Sequence, residues 1–401
     1  MEILHLSNII NSPLNFIDAD LEDTKVRNSY ALKTPTATLP FLETGIGNIS
    51  QSISIEIFLS EKFKRDILGK NNFERAKINQ WIEFANCEIQ NCARELIYPI
   101  FRGKTENNMN KLNSENSDKK LKKNLTILEK EFKNGNKYIM GNDITLADVV
   151  LFRYLRFFMI FYLTEKIRNS LCPKLTQWFE NIMNTKEAID AYGRTVLCKK
   201  QLKPLEIKQE KKVNKILDKK SNNNISENKE IKKEKNILDL LPPSKFDLKN
   251  FKKNFFENKN KNEVMTNFWK QYDPKGYSLY FIEYENLPSE STKLFRMKNS
   301  KNFFLERFDE NFKYYSFGIH GVYNANNEYK IRGVWLCRGE NIPNEIKEND
   351  YFKYLKIRKL KSDNDTDKKL VEEFWTNCNK GDLVDEKKVE ECTYFYEKEK
   401  N

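Results

Sequence analysis

A lysine-rich tract in the middle of the chain constrains its architecture more than any other feature. Residues 199–236 contain 13 Lys, no Arg and 6 acidic residues, and no aromatic side chain interrupts them. A segment this polar and self-repelling cannot bury enough apolar surface to fold by itself. We therefore predict a multidomain chain, with one folded module on each side of a Lys-rich disordered linker at 199–237.

The same tract concentrates the positive charge of the chain. The net charge is +12 at pH 7, and residues 199–236 supply more than half of it. Lysines at this density attract polyanions such as RNA or the ribosome by sequence-independent electrostatics. The alternative is a solvated linker without a dedicated ligand, and the tract offers no aromatic side chains on which bases could stack. The sequence leaves both interpretations open.

Composition and spacing exclude several classes of protein. The seven Cys include no Cys-x-x-Cys pair, and with His5 and His320 as the only His no zinc site can be built at ligand spacing. Scattered thiols of this kind suit a reducing compartment, where we expect them to be small core residues rather than nucleophiles. No apolar run is long enough to cross a bilayer, and the N-terminus lacks the features of a secretory signal. We predict a cytoplasmic protein without a metal site.

The part of the chain before the tract changes character near residue 65. Residues 1–65 read as short apolar strands and turns, whereas 66–198 follow helical periodicity. A capping box is expected where Thr145 begins an apolar helix and Asp148 reaches back to it. The polar residues 107–119 are predicted to form a long loop within the helical part.

Two segments of this first module resemble glutathione transferases. One is the capping-box segment, and the other is Thr38–Glu43 followed by Gly45–Ile55. The resemblance implies a shortened thioredoxin-like α/β half at 1–65 and an all-α half at 66–198. It also implies that the Leu39–Pro40 peptide bond is cis.

The resemblance further implies a vestigial glutathione site, formed by Leu39, Pro40, Gln51 and Ser52. In that family the backbone beside the proline pairs with the cysteinyl part of glutathione, and an acidic–Ser pair holds its γ-glutamyl end. The pair is Gln51–Ser52 in this chain, where an amide replaces the acid. Ser52 at a helix N-terminus would suit an anion, although it could equally be a simple N-cap.

Transferases place an activating hydroxyl or thiol just after their first strand, where it lowers the pKa of the glutathione sulfur. Ser7 and Ser12 are the candidates near that place in this chain, and the alternative for both is hydrogen bonding within a loop. We predict no catalytic residue, and no cofactor apart from the glutathione that the vestigial site could hold.

Residues 238–401 are predicted to form an α+β domain with an antiparallel sheet. The turn signal Asp273–Gly276 precedes a strand that ends near Tyr284. Residues 314–323 and 329–338 then read as an antiparallel hairpin, and 302–308 as a helix. We expect the aromatic residues of this domain to form its core rather than a ligand platform; they are Trp269, Tyr277, Tyr280, Phe317 and Trp335.

A second basic cluster follows the predicted hairpin, and its function stays open at this point. Its members are Lys353, Lys356, Arg358, Lys359 and Lys361. Such a cluster can face an acidic partner or RNA, or it can simply be solvated surface.

This domain contains four sequence motifs that resemble one family specifically. They are Leu240–Leu248, Phe268–Tyr284, Tyr314–Tyr323 and Ile331–Gly339. They are similar to the C-terminal domain of the gamma subunits of eukaryotic translation elongation factor one. That family combines a transferase-like module, a Lys-rich linker and this domain, and the three parts occur here in that order.

The resemblance implies a non-catalytic scaffold subunit of the nucleotide-exchange complex. The N-terminal module would anchor the exchange subunit, which recharges the GTPase that delivers aminoacyl-tRNA. The linker would offer a contact to the ribosome or RNA. The alternative function is that of an active glutathione transferase.

Overall fold

The computed structural model describes residues 1–17, 23–35, 38–102, 111–132, 135–202, 237–287, 289–326 and 328–396. The chain forms two compact units. Unit 1 comprises Met1–Leu205, Asn286–Arg307 and Asn327–Tyr329, and unit 2 comprises Glu206–Glu285, Phe308–Asn326 and Lys330–Asn401. Most of the predicted linker at 199–237 lies outside the described residues. The boundaries at 65, 198 and 237 stay predictions.

The α/β half of unit 1 contains more helix than its sequence suggested. The strands β1 (Phe41–Thr44) and β2 (Gly47–Ser50) form a two-stranded antiparallel sheet. The prediction of strands and turns is wrong for the segments before it, where helices α1 (Glu2–Ile10) and α2 (Thr24–Ala31) form. Helix α1 ends in a left-handed residue, Asn11, and buries one face, so its short apolar run serves a helix rather than a strand.

The remainder of unit 1 is helical, as predicted. Its elements are α3 (Ser52–Phe63), α4 (Asn72–Phe84), α5 (Gln90–Leu96), α6 (Tyr98–Arg102), α7 (Lys111–Glu131), α8 (Leu146–Phe161), α9 (Glu165–Leu171), α10 (Pro173–Met183), α11 (Lys186–Tyr192) and α14 (Leu294–Leu305). The loop predicted at 107–119 is wrong from residue 111 onward, because α7 begins there. The earlier part of that loop, up to residue 110, lies outside the described residues.

Helix α8 runs through the core of unit 1 and begins with the predicted capping box. Asp148 accepts hydrogen bonds from the backbone and the hydroxyl of Thr145, both at 2.9 Å. Its second oxygen accepts from the backbone of Ile139 at 2.8 Å and from the Trp178 indole at 3.0 Å. Burial raises the pKa of Asp148, while these four hydrogen bonds oppose the rise. The carboxylate therefore joins the start of α8 to two other segments.

Unit 2 is built on a six-stranded sheet whose order is β6-β3-β5-β4-β8-β7. The strands are β3 (Tyr277–Tyr284), β4 (Ser316–Ala325), β5 (Glu328–Arg338), β6 (Leu355–Leu360), β7 (Leu383–Val384) and β8 (Lys387–Phe395). The helices are α12 (Leu248–Glu257), α13 (Lys261–Gln271), α15 (Phe312–Tyr315), α16 (Asn344–Lys347) and α17 (Asp365–Thr376). The predicted hairpin is confirmed as β4 and β5, which are neighbours in the sheet.

Two details of the predicted C-terminal domain are corrected. The helix expected at 302–308 is α14, which begins at Leu294 and ends at Leu305 in unit 1. The first strand of the hairpin begins at Ser316, because α15 occupies the residues before it. The predicted aromatic core is confirmed for Trp335 and Phe317, which are fully buried.

Candidate functional site

The four residues of the predicted glutathione site meet at one end of the β1–β2 hairpin. Phe41 pairs with Ser50 in the register of the two strands. The residues just outside that pair, Pro40 and Gln51, therefore leave the sheet at the same end. The Leu39–Pro40 peptide bond is cis, as the resemblance implied. Leu39 is 44% exposed, so solvent reaches this end of the hairpin.

Helix α3 begins at this point and directs its free backbone N–H groups toward it. The N-cap residue is Gln51, so the alternative in which Ser52 is the N-cap is wrong; Ser52 is the first helical residue. Gln51 has a left-handed φ of 72°, and its carbonyl accepts the first helical bond from Ile55. The N–H groups of the first turn have no partner within a helix, which makes this end suited to a carboxylate.

The two serines considered as sulfur activators are occupied elsewhere. Ser7 donates its hydroxyl to the carbonyl of Ser12 at 3.0 Å, and Ser12 donates to the Ser7 hydroxyl at 3.0 Å. Both side chains are buried where α1 ends. These contacts correspond to the alternative of loop hydrogen bonding, in which neither hydroxyl faces a ligand.

Tyr30 lies near this site, and the sequence analysis did not single it out. Its ring lies edge-on to the ring of Phe41, with centroids 4.9 Å apart, and Phe41 follows Pro40 in the chain. It belongs to α2, which has no buried residue, so spacing along the chain gave no signal for this contact.

A buried charged cluster lies elsewhere in unit 1, between α1, α3 and α8. The Arg153 guanidinium donates to the Glu56 carboxylate at 2.6 Å, and both side chains are almost wholly buried. Glu2, at the start of α1, lies 3.5 Å from the same guanidinium nitrogen. The second Glu56 oxygen and two Arg153 nitrogens have no hydrogen-bond partner among the described residues. The sequence pattern did not indicate this cluster, because its members are far apart along the chain.

His5 belongs to the same cluster and was considered only as a metal ligand. Its ring is fully buried between Phe152 and Tyr192, with centroids 5.5 and 5.3 Å away. Burial and the nearby Arg153 lower the pKa of His5 to about 3, so the ring is neutral. Burial also raises the pKa of Glu56, to about 7, against the opposing charge of Arg153. The cluster therefore holds two groups whose pKa values are shifted in opposite directions, His5 downward and Glu56 upward.

Three of the motifs that resemble the gamma-subunit family meet at one corner of unit 2. Arg338 donates to the carbonyl of Gly276 at 2.5 Å and also to the carbonyl of Pro242. Its guanidinium lies 5.3 Å from the centre of the Tyr277 ring. The backbone of Gly339 donates to the same Gly276 carbonyl at 2.7 Å. One arginine thus ties together segments that begin the domain and end β5.

Gly276 is required at this corner because no side chain would fit there. A Cβ at this position would lie 2.2 Å from the Ser244 hydroxyl oxygen. Ser244 is held in place because it donates to Asp273 at 2.6 Å. These contacts give a structural reason for Ser244, Asp273 and Gly276 in the motifs that resemble the gamma-subunit family.

The second basic cluster lies along β6, which is an edge strand of the sheet. Arg358 forms an ion pair with Asp367 at 2.5 Å, and Lys356 forms one with Glu285 at 3.1 Å. Lys359 donates to a backbone carbonyl at 2.6 Å. These three side chains are engaged within unit 2, which leaves less of the cluster's charge for a partner.

The described part of the chain contains neither a cluster of metal ligands nor a helix suited to cross a membrane. No group of three or more His, Cys, Asp or Glu side chains there could hold a metal ion. No helix among the described residues is long and apolar enough to cross a membrane.

Comparison with known proteins finds similarity in both parts of the chain. The model of the family described as "Elongation factor 1 gamma, conserved domain" matches residues 233–341, and "Glutathione S-transferase, C-terminal domain" matches residues 92–186. Elongation factor 1-gamma of Prunus avium is 30% identical over 359 residues, covering 83% of this chain and 82% of the relative. Probable elongation factor 1-gamma 1 of Arabidopsis thaliana is 28% identical, covering 85% and 84%. The matches thus extend across both halves of the chain.

Solved structures are similar to the N-terminal half. The GST-like domain of elongation factor 1-gamma from Saccharomyces cerevisiae is 20% identical, with a TM-score of 0.44, covering 50% of this chain and 92% of that one. Glutathione transferase F7 from Populus trichocarpa is 22% identical, with a TM-score of 0.42, covering 48% and 92%.

Proposed function

Because the chain belongs to the elongation factor 1-gamma family, we propose that it is a non-catalytic scaffold subunit of the elongation factor one nucleotide-exchange complex. Its N-terminal module would anchor the exchange subunit, and the complex would recharge the GTPase that delivers aminoacyl-tRNA in the cytoplasm. The observation that carries this proposal is the 30% identity to an elongation factor 1-gamma over four fifths of both chains.

The order of the parts supports a scaffold. A transferase-like module and a second domain lie on either side of a tract with 13 Lys. A tether of this kind raises the effective concentration of whatever one module binds near whatever the other binds. The tract itself would add a salt-dependent contact to the ribosome or RNA.

The contacts of the two candidate activators support a non-catalytic role. Ser7 and Ser12 bond each other in a buried position, so neither is placed to lower the pKa of a glutathione thiol. Glutathione transferases have an acidic residue in their γ-glutamyl site where this chain has Gln51. The change removes a negative charge that would bind the amino group of glutathione.

Co-elution of the full chain with the purified exchange subunit at physiological salt tests the scaffold. We expect a stable complex, and we expect it to persist when residues 203–235 are deleted, because the N-terminal module provides the contact. Separate elution of the intact chain and the exchange subunit at that salt concentration would overturn the proposal. RNA binding by the intact chain, but not by the deletion variant, would assign the polyanion contact to the tract.

The alternative, an active glutathione transferase, is favoured by the geometry around Pro40 and Ser52. The backbone beside Pro40 and the N–H groups at the start of α3 lie at the same end of the hairpin, where they would suit the peptide backbone and a carboxylate of glutathione. Conjugation of glutathione to a chloronitrobenzene tests this function. Turnover that disappears in Ser52→Ala but not in Ser54→Ala, an exposed residue on the same turn, would replace the scaffold as the first choice. Equal, background-level rates in both variants and the wild type would exclude it.

A further inference from the structure

Two half-buried cysteines of unit 2 lie close together, and neither belongs to a site described above. Cys378 follows the end of α17, and Cys392 lies in β8. The turn after Cys378 is fixed to β8 by two backbone hydrogen bonds, from Gly381 to Val389 at 2.9 Å and from Val389 to Asp382 at 2.8 Å. This attachment holds the loop that carries Cys378 beside the strand that carries Cys392.

The two thiols are in direct contact. The Cys378 thiol hydrogen-bonds Cys392, and it also contacts the carbonyl of Phe374 at 3.4 Å. The Tyr323 hydroxyl lies 3.6 Å from the Cys392 sulfur. Cysteine and tyrosine side chains thus form a connected polar group at the edge of an apolar core.

The position of the Cys392 sulfur is closely defined. Cys392 pairs with Gly321 across β4 and β8, and a Cβ on Gly321 would lie 2.8 Å from that sulfur. Glycine at position 321 therefore leaves the space that the Cys392 sulfur fills. Two thiols held this way have a high effective concentration toward each other.

We propose that Cys378 and Cys392 form a redox modification site that a two-electron oxidant such as hydrogen peroxide converts to an intramolecular disulfide. The sulfur of one thiolate attacks the peroxide oxygen, giving a sulfenic acid and releasing hydroxide, which takes up a proton to become water. The second thiol then attacks the sulfenic sulfur, forming the S–S bond and releasing a second water. Two thiols and one peroxide thus give one disulfide and two waters. This inference does not depend on the proposed scaffold role.

The hydrogen bond to Cys392, together with burial, raises the pKa of the Cys378 thiol well above its ordinary value. The same thiol also donates to the carbonyls of Phe374 and Trp375, at 3.4 and 3.6 Å. Either thiolate can attack the peroxide, and the other thiol then closes the disulfide.

The test uses the full chain, reduced and then treated with hydrogen peroxide. We expect the intact mass to fall by the mass of two hydrogen atoms and peptide mapping to find a Cys378–Cys392 cross-link that dithiothreitol reverses. The single variants Cys378→Ser and Cys392→Ser should instead leave a sulfenic acid on the remaining cysteine of the pair, which a dimedone probe captures. Cys87→Ser, which changes the exposed cysteine, should form the cross-link as the wild type does.

Mapping of the wild-type protein decides the question even if a Ser variant fails to fold. A Cys378–Cys392 cross-link in the treated wild type supports the proposal. Both residues recovered as unlinked thiols, or as separate sulfinic acids, overturn it.

Discussion

Two buried titratable groups in unit 1 should change its stability with pH in opposite directions. Glu56 and His5 belong to one cluster around Arg153, and neither is exposed to solvent. The perturbation we suggest is to remove each titration separately, with Glu56→Gln and His5→Phe. Gln can still accept from Arg153, and Phe resembles the ring that it replaces between Phe152 and Tyr192.

The expected size follows from the two pKa values. The pKa of Glu56 is 4.5 in the unfolded chain and about 7 when folded, so the stability from its bound proton is lost as the pH rises through 7. That loss is about 2.5 kcal/mol between about pH 5 and pH 8. The pKa of His5 falls from 6.5 to about 3 on folding, so its contribution is present above pH 6.5 and is lost on acidification. Over the same interval it gives a gain of about 2 kcal/mol. The two effects nearly cancel in the wild type.

Removing one group should therefore reveal the other. Relative to the wild type, Glu56→Gln should gain about 2.5 kcal/mol in unfolding free energy on going from about pH 5 to pH 8, and His5→Phe should lose about 2 kcal/mol. Urea-induced unfolding of the full chain, with hydrogen exchange of the α8 amides as the reporter for unit 1, measures both. Glu61→Gln, a change of an exposed carboxylate on the same helix, is the control and should follow the wild type. Variants that both stay within about 0.5 kcal/mol of the wild type at the two pH values would refute the assigned titrations.

Two further changes test other parts of the structure. Asp148→Asn removes the acceptor for at least one of four buried donors and should lower the unfolding free energy of unit 1 by about 2 kcal/mol. Asp143→Asn on the exposed turn should lower the same free energy by less than about 0.5 kcal/mol. Equal losses for the two variants in the same urea titration would contradict this. Gly276→Ala places a methyl group on the Ser244 hydroxyl and should lower the thermal unfolding midpoint of unit 2 by several degrees, which calorimetry measures. Gly45→Ala adds a methyl group where there is open space, so it should leave the unfolding midpoint of its own unit, unit 1, unchanged. A drop of several degrees there would argue against the steric reason.

The features that the sequence predicted well are those encoded over a few residues. Thr145 and Asp148 are three positions apart, so their capping box could be read from spacing alone. The hairpin of β4 and β5 consists of two strand-like runs, rich in aromatic and β-branched residues, around an Asn-rich turn, which is an equally local signal. The residues of the predicted glutathione site also lie at one end of the β1–β2 hairpin. The family resemblance indicated that these residues belong together, which the sequence alone does not.

The features that the sequence missed depend on contacts between distant residues. Helix α1 is short and only partly apolar, so its identity depends on packing against α11 and α3 rather than on its own propensity. The pairing of Glu56 with Arg153 joins positions 97 residues apart, and neither residue type signals burial. Cys378 and Cys392 are brought together by a turn that no spacing rule anticipates.

One structural feature affects how the protein is made. Residues 286–307 belong to unit 1, although the chain reaches them only after β3 of unit 2 has been translated. Glu290, in that segment, accepts a hydrogen bond from the backbone of Arg194, and Arg307 donates to the carbonyls of Ile160 and Val196 at 3.3 and 3.2 Å. A nascent chain that has emerged only as far as residue 202 therefore lacks part of its first unit. During translation, unit 1 can therefore be completed only after residue 329 has left the ribosomal exit tunnel.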